Sequence, residues 1–169
     1  MKTDRKPLST REFIAGAEML ISKLLKPTLI KLDVEAASKE ELFEEMVDLF
    51  VREGLISNRE MAVDTLLERE SKMSTGIAPG FALPHGKLEG IHGVLIAIGI
   101  IREGMDFDSL DDEPVYVVLT LFSEAGNPVP HIEALAEIGR LLAVPEFTEQ
   151  LKNARTPEEI IRIFQENEE

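Results

Sequence analysis

The chain has 169 residues, 44% of them hydrophobic, with 18 Lys and Arg against 32 Asp and Glu, a formal charge of −14. A single domain of this size buries about 70% of its extended surface. The carboxylate excess, with no basic run longer than two residues, excludes a phosphate backbone as partner. Cysteine is absent, which removes disulfides and thiol chemistry and fits a cytoplasmic location. No apolar run reaches the roughly 20 residues of a bilayer span, so no membrane insertion is expected either.

Lys2, Arg5 and Lys6 precede an apolar stretch over 13–25, but Glu12, Glu18 and Lys23 interrupt it, unlike a secretory core. Phe13, Ala17, Leu20, Ile21 and Leu24 recur at helical spacing. They predict an amphipathic helical extension over residues 1–24, ahead of a domain at 25–169. Residues 28–32 read as a short strand. Ser38-Lys-Glu-Glu41 is a capping box before Leu42, Phe43, Met46, Val47 and Phe50, with Gly54 as the stop. Ser57-Asn-Arg-Glu60 reads as a second box before Ala62, Val63, Leu66 and Leu67.

A weak strand is predicted at 81–83. The nearly all-apolar runs 93–101 and 115–122 read as strands buried on both faces, with an acidic turn at 106–113 between them. Pro130 opens a helix carrying Ile132, Leu135, Ala136, Gly139 and Leu142 on one side. Thr156-Pro157-Glu158-Glu159 starts the last helix, which buries Ile160, Ile161 and Phe164. The order is helix, strand, two helices, three strands and three helices. That predicts an α/β fold of three layers, α/β/α, with about four to five strands.

Three histidines are the acid–base or nucleophile candidates near neutral pH. His85 ends the segment Ser74-Thr-Gly-Ile-Ala-Pro-Gly-Phe-Ala-Leu-Pro-His-Gly86, whose glycines and prolines shape a loop where backbone N–H groups can converge on an anion. Spacing alone leaves an ordinary turn equally open. Gly76 and Gly80 form no nucleotide-binding loop, because the Gly-Lys-Ser/Thr that such a loop requires is missing. Taken alone, Arg69 is the solvated end of a helix, His131 a surface helix residue and His92 a loop residue. A metal hydrolase built from His85, His131 and the acidic residues near Asp106 ranks low, since no His-x-x-x-His spacing occurs.

The run Leu66-Leu-Glu-Arg-Glu70, then Ser74-Thr-Gly-Ile77, then Ala82-Leu-Pro-His-Gly-Lys87 resembles the type 2 enzyme IIA domain of the fructose/mannitol class. That domain belongs to the bacterial phosphoenolpyruvate-dependent sugar phosphotransferase system. Met105-Asp-Phe107, Asp112-Glu-Pro-Val115 and His131-Ile-Glu-Ala-Leu135 continue the likeness in the same order, over roughly residues 25–164. The Pro-His-Gly-Lys-Leu-Glu version is closest to the nitrogen-regulatory, PtsN-type branch. Ala78-Pro79-Gly80 departs from the Gly-Asn-Gly that family members often carry.

The resemblance implies a mixed sheet with helices on both faces, in agreement with the element order, and it implies that His85 accepts a phosphoryl group from an HPr-type phosphocarrier protein. It implies that Arg69 stabilises the transferring charge, that His131 orients or binds the phosphate, and that Thr75 and Gly76 support the loop. A IIB domain, or a regulated transporter or kinase, is the implied downstream partner, and no cofactor or metal is implied. The alternative is a non-catalytic regulator that controls a transporter or kinase by binding.

Overall fold

The computed structural model describes residues 19–168. Strand β1 (Ile30–Lys31) is followed by helices α1 (Lys39–Arg52) and α2 (Arg59–Lys72). Strands β2 (Phe81–Ala82), β3 (His85–Leu88), β4 (Val94–Met105) and β5 (Val115–Glu124) come next, then α3 (Pro128–Leu142), α4 (Phe147–Asn153) and α5 (Pro157–Glu168). β4 and β5 pair antiparallel at the centre, β1 runs parallel to β4, and β2 and β3 both run parallel to β5. The sheet is therefore mixed, as the resemblance implies, and five-stranded.

Alternate residues of the central strands feed two cores, which is why these runs are apolar throughout. Ala97, Ile101, Val118 and Phe122 face one layer with Phe43 and Phe50 of α1. Ile96, Ile98, Leu119 and Leu121 face the other with Ile138, Phe147 and Phe164. At Gly99 any Cβ would lie 2.8 Å from Met46 Sδ, so its absence seats α1 on β4. Among the described residues no helix is long and apolar enough to cross a membrane.

The local signals hold in most places. Ser38 Oγ accepts from Glu41 N–H, and Glu41 reaches back to Ala37 N–H. Gly54 adopts φ +69° and ends α1, with Gly54 N–H on Val51 O and Leu55 N–H on Phe50 O. Thr156 Oγ1 caps α5 through Glu159 N–H.

Several expectations are corrected. α2 is capped by Asn58, not Ser57, because the Asn58 side chain is the one that reaches Met61 N–H. α3 starts at Pro128, two residues before Pro130; prolines fit in a first turn whose N–H groups have no helical partner. Its buried face is Ala134, Ile138 and Leu141, while Ile132 is exposed. The helix is apolar around much of its circumference, so more than one stripe satisfies the period. The strand expected at 28–32 shrinks to β1, since Pro27–Leu29 forms a 3₁₀ turn.

Residues 1–18, including Phe13 and Ala17 of the expected amphipathic helix, lie outside the described residues. Its end, Ile21–Leu24, is a 3₁₀ turn rather than α-helix. Ile21 is buried there, and the Glu168 carboxylate accepts from both Ser22 N–H and Ser22 Oγ.

Candidate functional site

His85 is not in a loop. It is the first residue of β3, opposite Leu121 of β5. Pro84 has no N–H to give to a ladder, so it splits one sheet edge into β2 and β3 and marks where the edge resumes. Leu83 O lies 2.8 Å from His85 Nδ1. A carbonyl can only accept, so Nδ1 carries the proton and Nε2 keeps its lone pair.

A bonded relay fixes that carbonyl from behind. Glu70, at the end of α2, accepts from Lys39 Nζ at 2.9 Å, from Thr75 Oγ1 at 2.6 Å and from Thr75 N–H. Thr75 O in turn accepts Leu83 N–H at 2.9 Å. Thr75 is thus a buried bolt between helix and strand. Gly76 sits beside it, where a Cβ would lie 2.3 Å from Ser109 Oγ.

Gly86 sets the spacing between α2 and β3. A Cβ there would lie 2.4 Å from Thr65 Cγ2. The close approach brings the 65, 68, 69 and 72 face of α2 over His85. A cleft of about 450 Å³ results, lined by Thr65, Glu68, Arg69, Lys72, His85, Gly86, Lys87 and His131. Arg69 donates one N–H to Met73 O at 3.0 Å, which anchors the guanidinium at the helix end.

His131 enters from the first turn of α3, its ring centroid 5.6 Å from that of His85. Its Nδ1 lies 2.6 Å from the Oγ of Ser123, a fully buried residue of β5. Burial, reinforced by Arg69, holds His85 below the ordinary histidine range, although the Leu83 carbonyl and Glu70 favour the charged ring. His131 is lowered too, by burial first and then by His85 and Lys87. Both rings are therefore held toward the neutral form, inside a cleft lined by Arg69, Lys72 and Lys87.

The structure brings together Arg69, His85 and His131. It keeps Thr75 and Gly76 behind the cleft, where they support the chain without lining it. His92 is an exposed loop residue, and none of the acidic residues at 106–113 lines the cleft. Lys72 and Thr65 escaped the sequence reading, although their spacing from Arg69 along α2 places them on one helical face. Ser123 carried no signal, being one polar residue at the end of an apolar run. A larger hollow of about 600 Å³ near Pro79, Tyr116 and Phe147 contains neither histidine nor arginine, so volume does not mark this site.

Residues 23–167 match the family described as phosphoenolpyruvate-dependent sugar phosphotransferase system, EIIA 2. The chain belongs to this family. It carries a phosphotransferase-system IIA domain, with a phosphocarrier or regulatory role. The fructose-specific EIIA component of Haloferax volcanii is 31% identical over 86% of this chain and 95% of its own length. The fructose-specific EIIABC component of Bacillus subtilis is 35% identical over 89% of this chain, which spans only 24% of that longer protein. Among solved structures, the nitrogen regulatory protein IIA-Ntr of Neisseria meningitidis superposes with a TM-score of 0.79 at 32% identity. It covers 86% of this chain and 99% of its own.

Proposed function

We propose that His85 Nε2 accepts a phosphoryl group from a phosphorylated HPr-type protein and passes it on or holds it as a signal. One observation carries this reading: the Leu83 carbonyl fixes the proton on Nδ1, which leaves an unprotonated Nε2 in a cleft with Arg69, Lys72 and Lys87. In the transfer the Nε2 lone pair attacks phosphorus, an N–P bond forms, and the donor's bond to phosphorus breaks with its electron pair returning to the donor. Phosphoryl transfer needs positioning and charge stabilisation, and a guanidinium fork supplies both to phosphate oxygens. Arg69 has that role here, with His131 orienting the group from the other side.

The rim suits a protein donor. Met61 on α2, and Val129 and Ile132 on α3, are exposed apolar residues on the helices that flank the cleft. A protein donor seated over the cleft would cover them. A IIB domain, or a regulated transporter or kinase, is the downstream partner, and the reaction belongs in the cytoplasm with its donor.

The test is incubation with phosphoenolpyruvate, enzyme I and HPr, followed by detection of an acid-labile phosphate. Wild type takes up one phosphoryl group and His85→Ala takes up none. Absence of the adduct in wild type, or its persistence in the variant, refutes the reading.

A further inference from the structure

Transfer to His85 Nε2 leaves the second imidazole unassigned: whether His131 turns a lone pair or an N–H toward the phosphoryl oxygens decides whether it repels or binds them. Ser123 settles this. It lies on β5 in register with Lys87 of β3 and Val94 of β4, and it is 0% exposed. The hydrogen bond that its Oγ makes among the described residues is to His131 Nδ1, at 2.6 Å.

Two arrangements fit that distance. If Nδ1–H donated to Oγ, the hydroxyl hydrogen of Ser123 would be buried with no acceptor. If the hydroxyl donates to Nδ1, both groups are satisfied. A buried donor left unpaired is penalised more than a made hydrogen bond is rewarded, so the second arrangement prevails. A neutral imidazole carries one N–H, which must then be on Nε2.

We propose that Ser123 is a positioning residue: by donating to His131 Nδ1 it fixes the Nε2–H tautomer and makes His131 a hydrogen-bond donor to the phosphoryl oxygens at His85. The inference rests on the phosphohistidine reading above. The two rings then have complementary roles set by two different anchors. Leu83 O keeps the proton of His85 on Nδ1 and frees a lone pair, whereas Ser123 keeps the proton of His131 on Nε2 and offers an N–H. During transfer the His131 proton stays on its nitrogen, and only the N–P bonds are made and broken.

The test uses the full chain with ¹⁵N-labelled histidine, since two-bond ¹H–¹⁵N correlations distinguish the tautomers at mildly alkaline pH without phosphate present. Wild-type His131 reads as Nε2–H. Ser123→Ala populates the Nδ1–H form and slows phosphoryl uptake from phosphorylated HPr about tenfold, the scale of one hydrogen bond. Ser123→Thr keeps the hydroxyl and restores both readouts. A wild-type His131 protonated on Nδ1, or a Ser123→Ala spectrum unchanged from wild type, overturns the proposal. So does a changed tautomer with an unchanged uptake rate. A wild type that forms no phosphohistidine overturns the transfer reading and the donor role with it, a result distinct from a wrong tautomer.

Discussion

The proposed roles of His85 and His131 suit rings that the fold makes poor bases. Burial disfavours the charged form of each ring, and Arg69 adds to the effect at His85. Only neutral imidazole is a nucleophile, so phosphoryl uptake should stay level as pH falls through about 6.5, the ordinary histidine value, and decline only below it. Single-turnover uptake against pH, with the phosphorylated donor in excess, checks this, and an inflection at or above 6.5 contradicts it. The sign for stability follows from the same shifts. The unfolded chain binds protons near pH 6.5 while the folded rings resist, so the stability present above that pH is lost as pH falls toward the folded values.

At the scale of elements, the site depends on how closely α2 lies against β3. Gly86→Ala would place a methyl 2.4 Å from Thr65 Cγ2, and overpacking of this kind costs about 1–3 kcal/mol. Because Arg69 lies one turn beyond Thr65, the displaced helix should also slow phosphoryl uptake. Thermal unfolding should show a fall of roughly 2–4 °C per kcal/mol for a chain this size. Adding Thr65→Ser, which removes the clashing methyl and keeps the hydroxyl bonded to Met61 O, should recover most of both losses. A double variant no better than Gly86→Ala alone would refute the close-approach account. Sequence alone could not show this contact, because Gly86 and Thr65 are adjacent only in space. The same limit hid β3. Pro-His-Gly-Lys has neither the alternation nor the β-branched residues of a strand, and it extends only because β5 offers a free edge. Where signals are local they sufficed: the Ser38 box, the Gly54 stop and the apolar runs of β4 and β5 lie where the chain announces them. Ser57 misled because Asn58, an equally good cap, stands next to it. The motif containing Arg69, His85 and His131 was legible. Glu70 appeared in the motif without a role, since its partners Lys39 and Thr75 are supplied by other elements.

The whole molecule adds a field to this geometry. A net charge of −14 surrounds a cleft whose lining includes the basic residues Arg69, Lys72 and Lys87, together with Glu68. The two signs act at different ranges. Close in, on the proposed reading, the cations would neutralise a transferring phosphoryl group inside a partly desolvated cleft, where salt screens weakly. Farther out, the carboxylate excess would attract the proposed carrier if its docking surface is basic, and would speed the encounter. The contributions separate with ionic strength, because the screening length falls from ~10 Å at 0.1 M to ~3 Å at 1 M salt. Added salt should therefore raise KM for phosphorylated HPr and lower kcat/KM, while the first-order transfer rate at saturating donor changes little. A KM that stays flat or falls with salt would show that the acidic surface serves solubility alone. A fall in the saturated rate would instead place the salt-sensitive charges inside the cleft, at Arg69, Lys72 and Lys87.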